Sequence, residues 1–191
     1  MKILERIGYS RDTPALIVGK GKNDFEVQKS WANRYVICAL NGAANHTPKV
    51  HFLFVNDAEA FGEINKTALV NAGALVVPTE IQFRHGKERK HAALVLPSES
   101  PPAFFFRLQP DAEPARVPHF GYCLSVGESA VAWLIHQGFQ EIHTIGIGYS
   151  PEYDSRYYGY RQDETKPEKW YRDNWDAIQE RCRQANVRLY P

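Results

Sequence analysis

The 191-residue chain has only three cysteines, Cys38, Cys123 and Cys182, and none stands in metal-type spacing to another. It contains no Cys-x-x-Cys pair, no His-x-x-x-His site and no Ser-His-Asp ordering, which argues against common zinc sites and the hydrolase triad. No apolar run approaches the roughly 20 residues that span a bilayer. The opening stretch from Met1 to Arg6 is too short in apolar run for a signal peptide. The chain is therefore expected to be cytoplasmic, without a membrane span. Cys38 and Cys182 fall in predicted elements and are expected to be buried thiols in a reducing compartment. Charge of one sign is also scarce: the net charge is +1, so a nucleic-acid partner is not indicated globally, although a local patch is still allowed. Repeats and low-complexity tracts are absent as well, and there are no heptads beyond the last helix.

What is present is ordinary globular material, 43% hydrophobic and 24% charged, long enough for one well-buried core. Residues 1–191 are read as a single domain. Short apolar runs at 15–18, 35–40, 50–55 and 74–77 read as strands. A helix is expected from about Asn23 to Asn33, and another from the Asp57 cap to Gly73 through Phe61, Ile64 and Ala68. Strands alternating with helices favour a parallel sheet with helical cover. Residues 81–91, with Arg84, His85, Lys87, Arg89, Lys90 and His91, read as a basic loop, and Ala92 to Leu96 as a strand candidate. Pro97 to Pro118 is proline-rich and has no clear assignment. Order returns in a helix from about Gly127 to Gln137 with Ala130, Val131, Leu134 and Ile135 on one face. A strand follows at 142–147. In the last helix Tyr171, Trp175, Ile178, Cys182 and Ala185 recur at spacings of 4, 3, 4 and 3, and a short strand follows at 187–190.

The candidate chemistry gathers at strand and helix ends. Gly19-Lys20-Gly21-Lys22-Asn23 follows the first strand but is neither a complete G-x-G-x-x-G fingerprint nor a P-loop. It reads as a turn contacting phosphate or ribose through Gly19, Gly21 and Asn23, or as a tight turn with solvated lysines. Asn41 and Asp57 stand where the second and third strands end, the edge at which open α/β sheets bind ligands. Asn41 suits a base or ribose edge, or an Asx turn. Asp57 suits a ribose hydroxyl or a magnesium ion, or a helix cap. Ser125, Gly127 and Ser129 open a helix and could hold a phosphate, with a plain serine cap as the alternative. The stretch from Tyr149 to Arg161 holds half of the chain's tyrosines. Tyr149, Tyr153, Tyr157, Tyr158, Tyr160, Arg156 and Arg161 suit a lid that stacks on sugar or base and grips phosphate, or else a loop folded on its own core or a partner surface. The basic loop reads as phosphate-attracting or as a solvated charge run. His119, before Gly121, is the one histidine placed for a site; His136 and His143 are expected to be structural or on the surface.

Gly127-x-x-Ala130, Gly138, Ile142 and Gly146 resemble the Ser-Gly-x-x-Ala…Gly…Ile…Gly-x-Asp signature of Rossmann-like bacterial and phage proteins. Those include a motility-associated glycosyltransferase-like group and a pterin diphosphokinase-like group. Ile17-Val18-Gly19-Lys20-Gly21, followed by Leu40-Asn41, is also similar to the family 42 sialyltransferases, whose Gly-x-Gly and Asn turns hold CMP and which carry a tyrosine-bearing lid. Val126 stands where the signature has Ser, Gly148 stands where it has Asp, and no histidine follows the lid. The resemblance implies a Rossmann-like three-layer α/β domain with a largely parallel sheet and a tyrosine-rich lid. It implies a nucleotide-sugar-dependent glycosyltransferase using a CMP- or other NDP-sugar, by direct displacement at the anomeric carbon. His119, Tyr157 or Tyr158 would then serve catalysis, with no required cofactor and no Asp-x-Asp metal motif. A magnesium-dependent pyrophosphoryl transferase using Asp57, and a non-catalytic nucleotide-binding protein of a phage or mobile element, stand as alternatives. The acceptor is unspecified, and a homo-oligomer is allowed.

Overall fold

The structure, a computed structural model, describes residues 8–10, 12–21, 27, 29–85, 88–93, 96, 98–107, 120, 123, 125–148 and 167–191. Four apolar runs form its central strands, β1 (Ala15–Val18), β2 (Val36–Leu40), β3 (Phe52–Phe54) and β4 (Ala74–Pro78). Every residue of these four is buried. That is the signature of parallel strands covered on both faces. The ribbon strands are β5 (Glu80–His85) and β6 (Glu88–Ala93). The remaining strands are β7 (Ala103–Phe106), β8 (Glu141–Ile145) and β9 (Arg188–Tyr190). The helices are α1 (Ala58–Glu63), α2 (Lys66–Asn71), α3 (Val126–Gln137) and α4 (Glu168–Gln184).

The main sheet has seven strands in the order β7-β4-β3-β2-β1-β8-β9, and every pair is parallel. Side chains alternate between its faces. Ile17, Cys38, Phe52, Phe54, Val76 and Phe106 face α3 and α4, where Trp133 lies against Phe52 and Phe54. The opposite face is covered by two 3-10 helices, Lys29–Asn33 and Asn41–His46, together with α1 and α2. This is a Rossmann-like three-layer α/β fold with a largely parallel sheet, as expected from the alternation of elements. Cys38 and Cys182 are buried free thiols, and burial pushes both above the ordinary thiol range, Cys182 to about 11. No helix among the described residues is long and apolar enough to cross a membrane.

Several expected boundaries move, each for a local reason. The single helix after Asp57 is two, because Asn65 accepts the Ala68 N–H at 2.7 Å and starts α2 afresh. Residues 81–85 and 88–91 are not loop: they lie in β5 and β6, which form an antiparallel ribbon. Ile81 and Phe83 alternate with polar neighbours at a strand's period of two, beneath a conspicuous run of charge. Of the strand expected from Ala92 to Leu96, Ala92 and Ala93 belong to β6, and residues 94–95 lie outside the described residues. Phe104 to Phe106 lie in β7, an edge strand, where the flanking prolines Pro101 and Pro102 are tolerated. In α3 burial extends all round the first two turns, from Gly127 to Leu134, because the helix is held between the sheet and α4. The stripe on α4 stops at Cys182, and Ala185 is exposed. Of the helix expected from about Asn23 to Asn33, the described part is the 3-10 helix, with Val27 buried.

Candidate functional site

The progression of strand order reverses at β1, with β2 on one side and β8, reached through α3, on the other. The C-terminal ends of β1 and β8 therefore form the topological switch point where such sheets bind ligands. Gly19 and Gly21 follow β1 there, and Gly146 follows β8. Gly19 donates its N–H to Ile145 O at 2.8 Å, and Gly21 donates to Gly146 O at 2.9 Å. Gly146 adopts φ +66°. A Cβ on Gly19 would collide with Gly146 O, and one on Gly146 would lie 2.7 Å from Gly19 O and 2.8 Å from Gly21 O. These glycines let two backbones run in contact past the ends of their strands. The N–H groups of Gly19 and Gly21 are engaged in that contact, so this pair does not present them to an anion.

Next along the same edge, β2 ends at Asn41 and β3 at Asn56 and Asp57. Asn41 takes the left-handed conformation, φ +50°, which asparagine tolerates better than most side chains, and so turns the strand into a 3-10 helix. Its Oδ1 is buried and has no hydrogen-bond partner among the described residues. Asn56 is in the same condition at Oδ1, while its Nδ2 donates to Ser129 Oγ at 2.8 Å. Ser129 is fully buried and also donates to Ser125 O at 3.2 Å. Asp57 acts as the cap of α1: its Oδ1 accepts the Ala60 N–H at 2.8 Å. Burial pushes the Asp57 carboxyl up from its ordinary value, the Ala60 N–H opposes that, and Glu59 and Glu63 add to it.

The first turn of α3 closes over these strand ends. Ser125 caps it, accepting the Glu128 N–H at 3.1 Å and donating to Asn174 Oδ1 at 2.5 Å. A Cβ on Gly127 would sit in ordinary contact with Ile178 and Leu40. Glu128, 4% exposed, is held by Arg181 of α4 at 2.6 Å. Beside Cys123, burial and Glu128 raise the thiol, and an Arg181 nitrogen stands 3.7 Å from its sulfur.

The structure thus brings Gly19, Gly21, Asn41, Asp57, Ser125, Gly127 and Ser129 to one edge of the sheet. Asn23, His119, Tyr149, Tyr153, Arg156, Tyr157, Tyr158, Tyr160 and Arg161 lie outside the described residues. Three residues join the site that the sequence did not single out. Lys20, read as solvated, spans to Glu63 at 2.7 Å, with side chains only 16% and 24% exposed. Gly42 lies beneath that bridge, where a Cβ would meet Glu63 Oε2 at 3.2 Å. Asn56 was visible as the residue ahead of Asp57, but nothing in the sequence distinguished it from an ordinary turn residue. His136 is exposed, and His143 is held between Tyr35 and Tyr190 with Glu141 at 2.8 Å; both are structural or surface groups as expected.

Asp57 commits one oxygen to its cap, and no three His, Cys, Asp or Glu side chains gather to hold a metal among the described residues. Two clefts lie elsewhere. One of about 270 Å³ is lined by Asn45, Thr47, Asn65 and Asn71, and one of about 470 Å³ lies between α3 and α4. Comparison with family models, curated protein sequences and solved structures gives no match. The fold is compatible with nucleotide or nucleotide-sugar binding in general.

Proposed function

We propose that the chain is a nucleotide-sugar-dependent glycosyltransferase whose nucleotide lies across the C-terminal ends of β2 and β3. The observation that carries this reading is the pair of buried amide oxygens, Asn41 Oδ1 and Asn56 Oδ1, at adjacent strand ends with no hydrogen-bond partner among the described residues. A buried acceptor left without a donor costs about 1–3 kcal/mol. A ribose hydroxyl or a base amino group supplies the missing donor. The positive end of α3 lies along the same edge and favours the phosphate. Direct displacement at the anomeric carbon needs an acceptor base and a stabilised leaving phosphate. His119, Tyr157 or Tyr158 is proposed as the base, and Arg156 and Arg161 as the phosphate's partners.

A thermal-shift and calorimetric screen of CMP, UMP, GDP, ATP and their sugar conjugates, with and without magnesium, tests this. One base class is expected to raise the melting temperature, with the gain lost in Asn41→Ala and Asn56→Ala. Release of free nucleotide from the matching conjugate is then expected with a suitable acceptor or water. Binding without any turnover across donors would select a non-catalytic nucleotide-binding protein instead. No shift with any nucleotide would end the proposal.

A further inference from the structure

The connection from β2 to β3 and helix α2 enclose a cleft of about 270 Å³ on the sheet face opposite α3 and α4. Asn45 ties its walls together. Its Nδ2 donates to Glu63 O at 2.7 Å, and its Oδ1 accepts the Asn65 N–H at 2.9 Å, so the 3-10 helix is pinned to the turn that starts α2. Thr47 is buried and donates its hydroxyl to Ala43 O at 2.8 Å. The frame is thus held by its own hydrogen bonds, and the groups on its rim are not consumed by it. Asn65 Oδ1 caps α2, which leaves the Asn65 amide nitrogen as a donor. The side chains of Lys49, Thr67 and Asn71 are exposed and make no hydrogen bond or ion pair among the described residues.

We infer that this cleft binds an acidic monosaccharide unit, with its carboxylate on the Lys49 ammonium and its hydroxyls on Asn65, Thr67 and Asn71. Among the described residues the lining holds one cation, no carboxylate and no aromatic ring. Without a ring there is no platform on which a flat base stacks. The volume lies just under the usual range for ligand pockets, about 300–1,000 Å³, so it suits one sugar ring and not a whole nucleotide. Thr67 and Asn71 are four residues apart on α2 and share a helix face, and Asn65 stands at the start of that helix. Amide and hydroxyl groups so grouped answer a ligand dense in hydroxyls, while Pro48 and Ala68 offer small apolar surfaces to its C–H face. Lys49 brings a charge that no acid in the lining neutralises, and this selects a carboxylate-bearing sugar over a neutral one. The cleft neighbours the nucleotide edge without sharing a residue with it. The 3-10 helix that starts at Asn41 reaches Asn45 four residues on, roughly 8 Å at about 2 Å per residue.

Titration of the full chain with methyl β-D-glucuronide, methyl β-D-glucoside and acetate, followed through its amide NMR signals, tests the inference. No nucleotide is present, so its failure and that of the nucleotide reading are separable. Saturable shifts at Asn65, Thr67 and Asn71 are expected with the glucuronide, and the glucoside is expected to bind about threefold to tenfold more weakly. Lys49→Gln is expected to remove that preference, and Lys49→Arg, which retains the charge, to keep it. Asn71→Ala is expected to weaken both sugars about threefold. Both side chains are exposed, so all three variants are expected to melt as the wild type does. The inference fails if no saturable shift maps to the cleft, if acetate binds as tightly as the glucuronide, if the glucoside matches the glucuronide, or if Lys49→Gln leaves the preference intact.

Discussion

The two ends of the sheet settle their buried polar groups in opposite ways. At the N-terminal end, His51 precedes β3 and is satisfied at both ring nitrogens. Its Nδ1 accepts the Ile37 N–H at 2.9 Å, and its Nε2 lies 2.7 Å from the Tyr9 hydroxyl, which itself donates to Ala32 O at 2.7 Å. This closed relay requires a neutral ring with the proton on Nε2. Burial, with the charge of Lys49 adding to it, lowers the His51 pKa to about 4. At the C-terminal end, Asn41 Oδ1 and Asn56 Oδ1 are buried without a partner among the described residues, and a left-handed asparagine and a backbone-on-backbone glycine contact sit beside them. One end is finished by the chain itself; the other leaves acceptors that a ligand can complete.

The sharpest way to break the contrast is to disrupt the glycine contact. Gly146→Ala places a Cβ against two carbonyls at positive φ and is expected to cost about 3 kcal/mol or more in urea unfolding. The N-terminal end answers instead to pH. Because the folded pKa of His51 is depressed, its contribution is intact above the unfolded value of about 6.5 and is lost as pH falls toward about 4. Stability should fall across that window by roughly 2–3 kcal/mol, less than the full energy equivalent of the shift because the ring is partly exposed and its charge is screened by solvent. His51→Gln should flatten that part of the profile in unfolding curves taken at pH 7, 5.5 and 4.5.

A smaller effect of opposite sign sharpens the comparison. Asn41→Gly relieves the left-handed side chain and removes the unpartnered oxygen, so it should stabilise the chain by up to about 1 kcal/mol. If the edge binds nucleotide, the same variant should lose the ligand-induced rise in melting temperature. Smallest of all, Gly148→Ala meets nothing within 4 Å among the described residues and should change stability by less than about 0.5 kcal/mol. It thereby separates the packed glycines from those that are merely nearby.

The parallel sheet was legible in the sequence because its inner strands are short unbroken apolar runs, and α4 because its stripe keeps a helical period. The ribbon was not, since Ile81 and Phe83 give only two apolar turns of a period-two pattern under a dense run of charge. Strand-end positions were readable for Asn41 and Asp57. What Gly19 and Gly21 do was not, because the same small residues serve a phosphate cradle and a close backbone crossing, and only Gly146, distant in sequence, decides between them. Lys20 shows the same limit: its partner Glu63 belongs to another element, so nothing local marks the lysine as half-enclosed.

The pairing of β1 with β8 also has a consequence for how the chain reaches its native state. Ile17 hydrogen-bonds across to the strand of Thr144, with β2 through β7 and α3 lying between them in sequence. One flank of β1 therefore waits for a segment made much later, and closing so long an intervening span slows productive pairing. Until β8 docks, Ala15–Val18 presents an uncovered, wholly apolar strand border of the kind that recruits other chains. The glycine crossing between Gly19 and Gly146 is then the last latch to shut on that border.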